Sequence, residues 1–271
     1  DANLRAALAA GEGEYLFILG NDDALPKDDT VSRLVSVLKD LDHPEVAFSS
    51  MELYGEGDQS VRQIRETKVL GSGPEIAVKN FRYFCPAMGI VMKRSVFKKY
   101  DTSEYDGSIY VQIYLVVRAV ASGARLACIS DSLVAKDVHI PGEKVNTYED
   151  GLAMANDRLR PKTGGIDQVG RVTCEALLPS VPISERGEYI FSVYSQLLLR
   201  SYPYWLWDYR KKGVYRAAVN LAWGCFPCRL IKIDKVPLFI HVRLFALYFV
   251  VTAFCLLAPI KFLDAVKQKL L

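Results

Sequence analysis

The first half of the chain alternates between short apolar runs and longer segments with helical spacing of apolar residues. The runs typical of buried strands lie at 15–19, 46–54, 89–92, 125–129 and 133–140. The helical spacing lies at 2–10, 30–41 and 108–122. Residues 61–83 are polar and predict at most one or two short helices. Strands that alternate with helices predict an α/β fold with a mostly parallel sheet flanked by helices.

After Pro141 the pattern becomes helical and shows no convincing strand. Residues 150–230 have apolar and aromatic residues at helical spacing. Residues 244–260 carry no charge and are flanked by Arg243 and Lys261. Because a membrane span needs about 20 apolar residues, this segment predicts a short span, an in-plane or re-entrant helix, or a buried helix.

The composition allows a large core and gives no sign of a nucleic-acid partner. Hydrophobic residues make up 51% of the chain and the net charge is only +3. Basic residues nevertheless cluster between Tyr209 and Arg243, next to the apolar segment, which favours contact with an anionic membrane surface. The aromatic cluster at 202–209 suits a membrane interface, or equally a helical cap packed on the sheet.

The six cysteines are scattered and predict reduced thiols rather than a disulfide framework. Cys225 and Cys228 form a lone CxxC pair. Without a second pair or a histidine motif, this pair does not predict a zinc site.

Two adjacent acids, Asp22 and Asp23, follow the first predicted strand and Gly20. Neighbouring carboxylates repel each other and gain little by packing. They are well suited to holding a divalent cation, Mg²⁺ or Mn²⁺, against a diphosphate. The pattern therefore predicts an enzyme that acts on an activated phosphate ester. The alternative is an acidic turn that caps the helix beginning near Lys27.

Several motifs follow one another in a recognisable order. They are Ala9-Ala-Gly-Glu-Gly-Glu-Tyr15, Leu19-Gly-Asn-Asp-Asp-Ala-Leu-Pro26, Gly89-Ile-Val-Met-Lys-Arg94 and Arg118-Ala-Val-Ala-Ser-Gly123. From about residue 3 to 140 this order resembles the central segment of family-2 glycosyltransferases, which have a GT-A fold. More loosely, Tyr202-Pro-Tyr-Trp205 and the apolar tail are similar to bacterial O-antigen and capsule sugar transferases, including abequosyltransferase-like proteins.

The resemblance implies transfer of a sugar from a nucleotide diphosphate sugar to an acceptor hydroxyl, with inversion and with a divalent cation. It also implies a lipid-linked glycan acceptor, surface polysaccharide synthesis, and a place at the cytoplasmic face of the inner membrane. The protein would be held there peripherally or by a single C-terminal helix. The family's nucleotide-binding strand would precede residue 1, so we expect the chain to be a fragment.

The resemblance also implies roles for individual residues. Asp23 would bind the metal and take part in catalysis, and Asp22 would lie near the metal, the diphosphate or the sugar. Asn21 occupies the first acidic position of the family's DxD motif, where an amide can contact substrate but brings no charge. His139 would be a third metal ligand or a phosphate contact, the alternative being a structural histidine, and Arg94 would contact a phosphate or, equally, be a solvated charge.

The general base is the point at which the chain departs from the family. The family has Glu-Asp at the start of the helix that ends in Arg118. Counting back places residues 111–112 there, and Gln112 cannot act as a base, so it is expected only to contact substrate. Asp106 is the candidate base, although an acid at this position is also favoured by the helix dipole. Otherwise another carboxylate, or the substrate itself, takes the proton.

These expectations divide the chain into three parts. Residues 1–142 are a partial GT-A-like catalytic domain, 143–235 a helical region with the aromatic and basic cluster, and 236–271 an apolar membrane-associated helix and tail. Two alternatives stay open. One is a catalytically weak membrane-bound relative that acts as a binding or assembly subunit, as Asn21 and Gln112 suggest. The other is a nucleotidyltransferase on a similar sheet.

Overall fold

The computed structural model describes residues 1–55, 60–138, 159, 162–233 and 236–270. The chain divides into two compact units. The first comprises Asp1–Val145 and Glu175–Val181, and the second comprises Asn146–Cys174 and Pro182–Leu271.

Six strands among the described residues form one mixed sheet in the first unit. They are β1 (Tyr15–Phe17), β2 (Val46–Leu53), β3 (Ser60–Arg62), β4 (Lys68–Gly71), β5 (Ile90–Lys93) and β6 (Leu126–Lys136). The order is β1-β5-β2-β6-β4, and β3 pairs with β2. Strands β2 and β6 are parallel, whereas the other paired strands are antiparallel.

The predicted α/β fold is confirmed, but the sheet is mixed rather than mostly parallel. The polar segment 61–83 contains short helical elements, as predicted, at Pro74–Asn80 and Phe81–Phe84, but it also contributes β4 and the end of β3, which were not predicted. The runs at 125–129 and 133–140 belong largely to one strand, β6, whose pairing with β2 is irregular between Ile129 and Ser132. Periodicity predicts that a strand exists, but its direction depends on the path of the connecting chain.

Helices of the first unit cover the sheet. They are α1 (Ala2–Ala10), α2 (Thr30–Asp40), α3 (Pro74–Asn80), α4 (Arg94–Tyr100) and α5 (Val111–Ala121), with a 3₁₀ turn at Phe81–Phe84. Helix α2 is amphipathic and packs Leu34 and Leu38 against Ala47 and Ala127 of the sheet. Helix α5 is buried at nine of its eleven positions, which explains why its sequence is apolar on almost every side.

A buried arginine joins β2 to the segment that precedes β5. Arg62 donates to the carbonyl oxygens of Ser49 at 2.6 Å, Tyr83 at 2.7 Å and Met88 at 2.9 Å. Burial lowers the pKa of its guanidinium to about 10. Gly89 has a φ of +74°, and a Cβ there would overlap with the Arg62 guanidinium. The two residues therefore depend on each other.

The described part of the chain from residue 162 onward is helical. Its elements are α6 (Ile166–Leu177), α7 (Arg186–Gln196), α8 (Tyr202–Lys211), α9 (Tyr215–Gly224), α10 (Pro227–Leu230), α11 (Leu238–Leu257) and α12 (Ile260–Leu270). Two 3₁₀ turns lie at Leu178–Ser180 and Ile183–Glu185, and a π-helical turn at Leu197–Ser201 joins α7 to α8.

Within the described residues, α11 is the one helix long and apolar enough to cross a membrane, with a mean hydropathy of 2.1. The core helix of a soluble protein can have the same length and apolar composition.

Replacing Gly89 by alanine tests the contact with Arg62. Alanine is strained at the positive φ of residue 89, and its Cβ would overlap with the Arg62 guanidinium. We therefore expect Gly89→Ala to lower the free energy of unfolding by about 2–4 kcal/mol. Thermal and urea denaturation followed by circular dichroism measure the change. Gly107→Ala is the matched control, because Gly107 also has a positive φ, +89°, but nothing within 4 Å of the added Cβ. Equal losses in both variants would show that the Arg62 contact is unimportant.

Candidate active site

The two acids predicted from the sequence form a tight turn after β1. The backbone N–H of Gly20 donates to Asp23 Oδ2 at 3.0 Å. Asn21 and Asp22 are exposed, whereas Asp23 is partly buried. A Cβ at Gly20 would overlap with Asp23 Oδ2 and lie 3.0 Å from Asp22 Oδ1. The two carboxylates therefore approach the same point, and only glycine leaves room for both of them.

The end of β6 anchors this turn. Ala24 and Ala135 exchange both backbone hydrogen bonds at 2.9 Å, and the N–H of Val138 donates to the carbonyl oxygen of Asp22 at 2.8 Å. The backbone N–H of Asp137 also donates to Asp23. Strands β1 and β6 are not neighbours in the sheet. The turn thus lies where the carboxyl ends of β1 and β6 meet, the edge at which α/β folds bind ligands.

Asp23 has the features of a carboxylate suited to a cation. Its Oδ1 atom is buried and has no hydrogen-bond partner. Burial raises the pKa of Asp23, and the charge of Asp22 raises it further, while the hydrogen bonds from Gly20 and Asp137 oppose the change. A buried oxygen without a partner costs about 1–3 kcal/mol, and a divalent cation shared with Asp22 would satisfy it. Carboxylate oxygens are the ligands that Mg²⁺ and Mn²⁺ prefer, so the chemistry of Asp22 and Asp23 is compatible with such an ion.

Two residues at this edge were not identified from the sequence. Asp137 adopts a φ of +59°, uncommon for a residue other than glycine. Lys136 pairs with its carboxylate at 2.8 Å, and the charge of Lys136 acts against the raised pKa of Asp23. Both residues lie inside the run 133–140 that the pattern predicts as a strand, so the local pattern does not single them out; the observed strand ends at Lys136. His139, the predicted third ligand, lies outside the described residues.

No three His, Cys, Asp or Glu side chains among the described residues form a group that could hold a metal ion. In that part of the chain, the site consists of the carboxylates of Asp22 and Asp23, with the ion pair of Lys136 and Asp137 beside them.

The residues around the start of α5 form a separate polar network. Arg5 donates to Asp106 Oδ2 at 2.8 Å and to Asp101 Oδ1 at 2.6 Å. The Asp1 carboxylate accepts a hydrogen bond from the N–H of Val111 at 3.2 Å, and so satisfies a donor in the first turn of α5. The candidate base Asp106 is thus held by an arginine from α1.

Gln112 is buried, and its amide donates to the carbonyl oxygens of Cys85 at 3.1 Å and Phe84 at 3.4 Å. The amide nitrogen of Gln112 thus contacts the segment before β5, and the contact of Gln112 with substrate stays a prediction. This segment leads to Gly89, whose N–H donates to the carbonyl oxygen of Ile18 at 3.0 Å, close to the acidic turn. Gln112 thus helps to hold the segment that leads to Gly89 in place beside the acidic turn.

Arg94 lies at the opposite end of the strands from the acidic turn, so the predicted contact of Arg94 with a phosphate, which stays a prediction, would lie away from Asp22 and Asp23. β1 and β5 are antiparallel, with Tyr15 opposite Lys93. The N–H of Arg94 donates to the carbonyl oxygen of Glu14, which precedes β1, whereas the acids follow β1. At about 3.3 Å per residue, the length of β5 separates Arg94 from the turn.

Comparisons with known proteins identify no family. No family model matches the chain, and no curated protein sequence matches it. Among solved structures, the chain is similar to a crystal structure of S. aureus TarS, residues 1–349, with a TM-score of 0.48 and 13% sequence identity. The alignment covers 92% of this chain and 68% of that chain. A likeness this distant does not establish a family or an activity.

Proposed function

We propose that this chain is a glycosyltransferase that moves a sugar from a nucleotide diphosphate sugar to an acceptor hydroxyl. The observation that carries the proposal is the partnerless Oδ1 atom of Asp23, buried beside Asp22 at the carboxyl end of β1. The motif order that resembles family-2 enzymes supports a GT-A-type site at this edge. The basic residues between Tyr209 and Arg243 and the apolar C-terminal segment next to them favour a place at the cytoplasmic face of a membrane, where a lipid-linked glycan acceptor would lie.

In this proposal the chain's own residues position the donor. Asp22 and Asp23 hold a divalent cation, which when bound neutralises the charge that builds on the diphosphate leaving group. Lys136 adds a positive charge beside the same carboxylates. Asn21, exposed on the turn, contacts the donor through its amide. Arg62, packed against Gly89, holds the neighbouring segment before β5 in place.

Asp106 takes the proton of the acceptor hydroxyl in this scheme, which requires its carboxylate to reach the acceptor. Arg5 and Asp101 hold that carboxylate within a network, so the base is positioned by α1.

A second candidate function is a binding or assembly subunit with little or no turnover. Two observations favour it. Gln112 lies at the position where the family has an acid, and it donates hydrogen bonds to backbone carbonyls. Asp106 is already paired with Arg5. Both functions require the cation site, but only the first requires a base.

Asp23→Asn tests the cation site. A carboxyl group whose pKa is raised by folding destabilises the folded state once the pH is above that pKa, because its charged form is disfavoured there. Asp23→Asn removes this charge, so the variant should be no less stable than the wild type in cation-free buffer near pH 7. The wild type should gain about 2.7 kcal/mol when the Mn²⁺ complex of a nucleoside diphosphate, treated as one ligand, is present at about 100 times its dissociation constant, and the variant should gain nothing. Thermal denaturation and calorimetric titration measure both effects.

The control for this experiment is Asp28→Asn, which removes an exposed acid from the same connection. If the wild type binds the nucleotide equally well with and without a cation, the proposed function fails.

The pH dependence of cation binding follows from the same carboxylate. Protons compete with the cation for Asp23, and its raised pKa means that this competition begins at a higher pH than for an ordinary aspartate. We expect Mn²⁺ affinity to fall as the pH is lowered, beginning at a higher pH than for a site made of ordinary aspartates. Titration calorimetry at a series of pH values down to the acid limit of the fold measures it, and an affinity that does not change with pH would show that Asp23 is not a ligand.

Asp106→Asn separates the two candidate functions. If Asp106 is the base, the variant should lose about 10²–10⁴-fold in kcat for sugar transfer or donor hydrolysis while binding of the nucleoside diphosphate stays unchanged. Asp101→Asn is the matched control, because Asp101 pairs with the same Arg5. A wild type that binds the nucleotide but turns over none of a panel of sugar nucleotides would favour the assembly subunit.

A further inference from the structure

Helix α11 is apolar on two opposite sides. Ile240, Leu244, Tyr248, Val251 and Cys255 recur every three or four residues and are buried. The opposite side is exposed and is also largely apolar. This exposed side, here called the apolar face, consists of Phe239, Val242, Phe249, Val250, Phe254 and Leu257. Several large apolar side chains exposed on one side of a helix mark an interaction site.

The buried side of α11 is fixed to the second unit by polar contacts at several points. The hydroxyls of Tyr202 and Thr252 are 2.8 Å apart. The Tyr248 hydroxyl donates to the carbonyl oxygen of Ala222 at 2.7 Å. Arg210 donates to the carbonyl oxygen of Ala258 at 2.9 Å, beyond the last turn. The helix is therefore an integral part of this unit.

Charged partners lie at both ends of α11. Near its start, Arg243 pairs with Glu188 at 2.6 Å and stacks over the Phe191 ring at 3.7 Å. After its end, Asp264 accepts a hydrogen bond from Trp207 Nε1 at 2.8 Å. Because Arg243 lies in the second turn of α11, a bilayer that α11 crossed with this contact intact would also have to take in Glu188 of α7, and charges are costly in the hydrocarbon.

The apolar face continues onto neighbouring segments. Phe226 contacts Phe249 with their ring centroids 6.2 Å apart, and Phe262 contacts Phe254 at 5.9 Å. Trp223 is 49% exposed, and Arg229 lies 5.6 Å from its ring. Tryptophan and phenylalanine beside arginine are typical of residues at the depth of lipid headgroups.

Exposed basic residues flank this surface in the sequence. Lys232 precedes α11 and Lys261 follows it, and both are exposed. Apolar side chains with cations at the rim match an anionic bilayer, in which the rings enter the interface and the cations meet the headgroups.

We propose that the second unit docks on an anionic lipid bilayer through the apolar face, with α11 in the plane of the interface and not across the bilayer. The inference deepens the membrane location contained in the proposed function, and it does not depend on sugar transfer. An in-plane position satisfies both sides of α11 at once, because its buried side keeps its protein contacts and its exposed side leaves water.

Vesicle binding tests the surface. The double variant Phe249→Glu with Phe254→Glu should bind vesicles of phosphatidylcholine and phosphatidylglycerol at least tenfold more weakly than the wild type. Val31→Glu with Val35→Glu is the matched control, because these valines on α2 are 52% and 46% exposed, against 57% and 42% for the two phenylalanines. The control should bind within twofold of the wild type. Binding that is unaffected by the phenylalanine variant overturns the proposal.

The orientation needs a second experiment. With Cys228 replaced by serine, Lys232→Cys and Lys261→Cys place a thiol before and after α11. A membrane-impermeant maleimide added outside sealed vesicles should label both positions in the bound protein. Labelling of only one position would mean that the helix spans the bilayer. A change of oligomeric state in the phenylalanine variant without a change in vesicle binding would assign the face to a second copy of the chain.

Nucleotide binding separates this inference from the proposed function. The phenylalanine variant should bind Mn²⁺ and a nucleoside diphosphate like the wild type. Loss of vesicle binding with intact nucleotide binding would therefore support the membrane surface and leave the proposed activity untouched. Absence of cation-dependent nucleotide binding in the wild type would contradict the proposed activity and leave the membrane surface untouched.

Discussion

The candidate site depends on one backbone contact, the pair of hydrogen bonds between Ala24 and Ala135. It joins the chain that follows β1 to the end of β6, although these strands are not neighbours in the sheet. With the N–H groups of Asp137 and Val138 directed to the same turn, this contact decides where Asp22 and Asp23 point. Because backbone groups make these bonds, the geometry does not depend on the identity of the side chains at Ala24 and Ala135.

The anchored turn has an energetic cost that a ligand would relieve. Asp23 is kept partly buried beside a second carboxylate, its Oδ1 atom has no donor, and its pKa is raised. Natural sequences keep such an arrangement where function requires it, because burial of an unsatisfied polar atom otherwise lowers stability. Gly20 is part of the same arrangement, since any larger residue would displace the carboxylates.

The second unit keeps apolar surface exposed on helix α11. Helix α11 buries one stripe against its own unit and leaves the other exposed, so folding of the chain alone does not remove all of its apolar area from water. The contact of Arg243 with Glu188 keeps the helix beside a charged neighbour. Hydropathy alone does not distinguish a spanning helix from one that is half covered.

Local pattern determined much of this protein. The strand before Asp22, the helix α2 and the long apolar helix could all be predicted, because periodicity and turn chemistry act within a few residues. Tertiary structure decided the rest. Arg62 is held by three carbonyls from distant segments, Asp137 is brought to Asp23 by the path of β6, and the antiparallel β5 carries Arg94 away from the acids. Strand direction and long-range pairing are set by how the whole chain packs, and neither leaves a mark in the local pattern of residues.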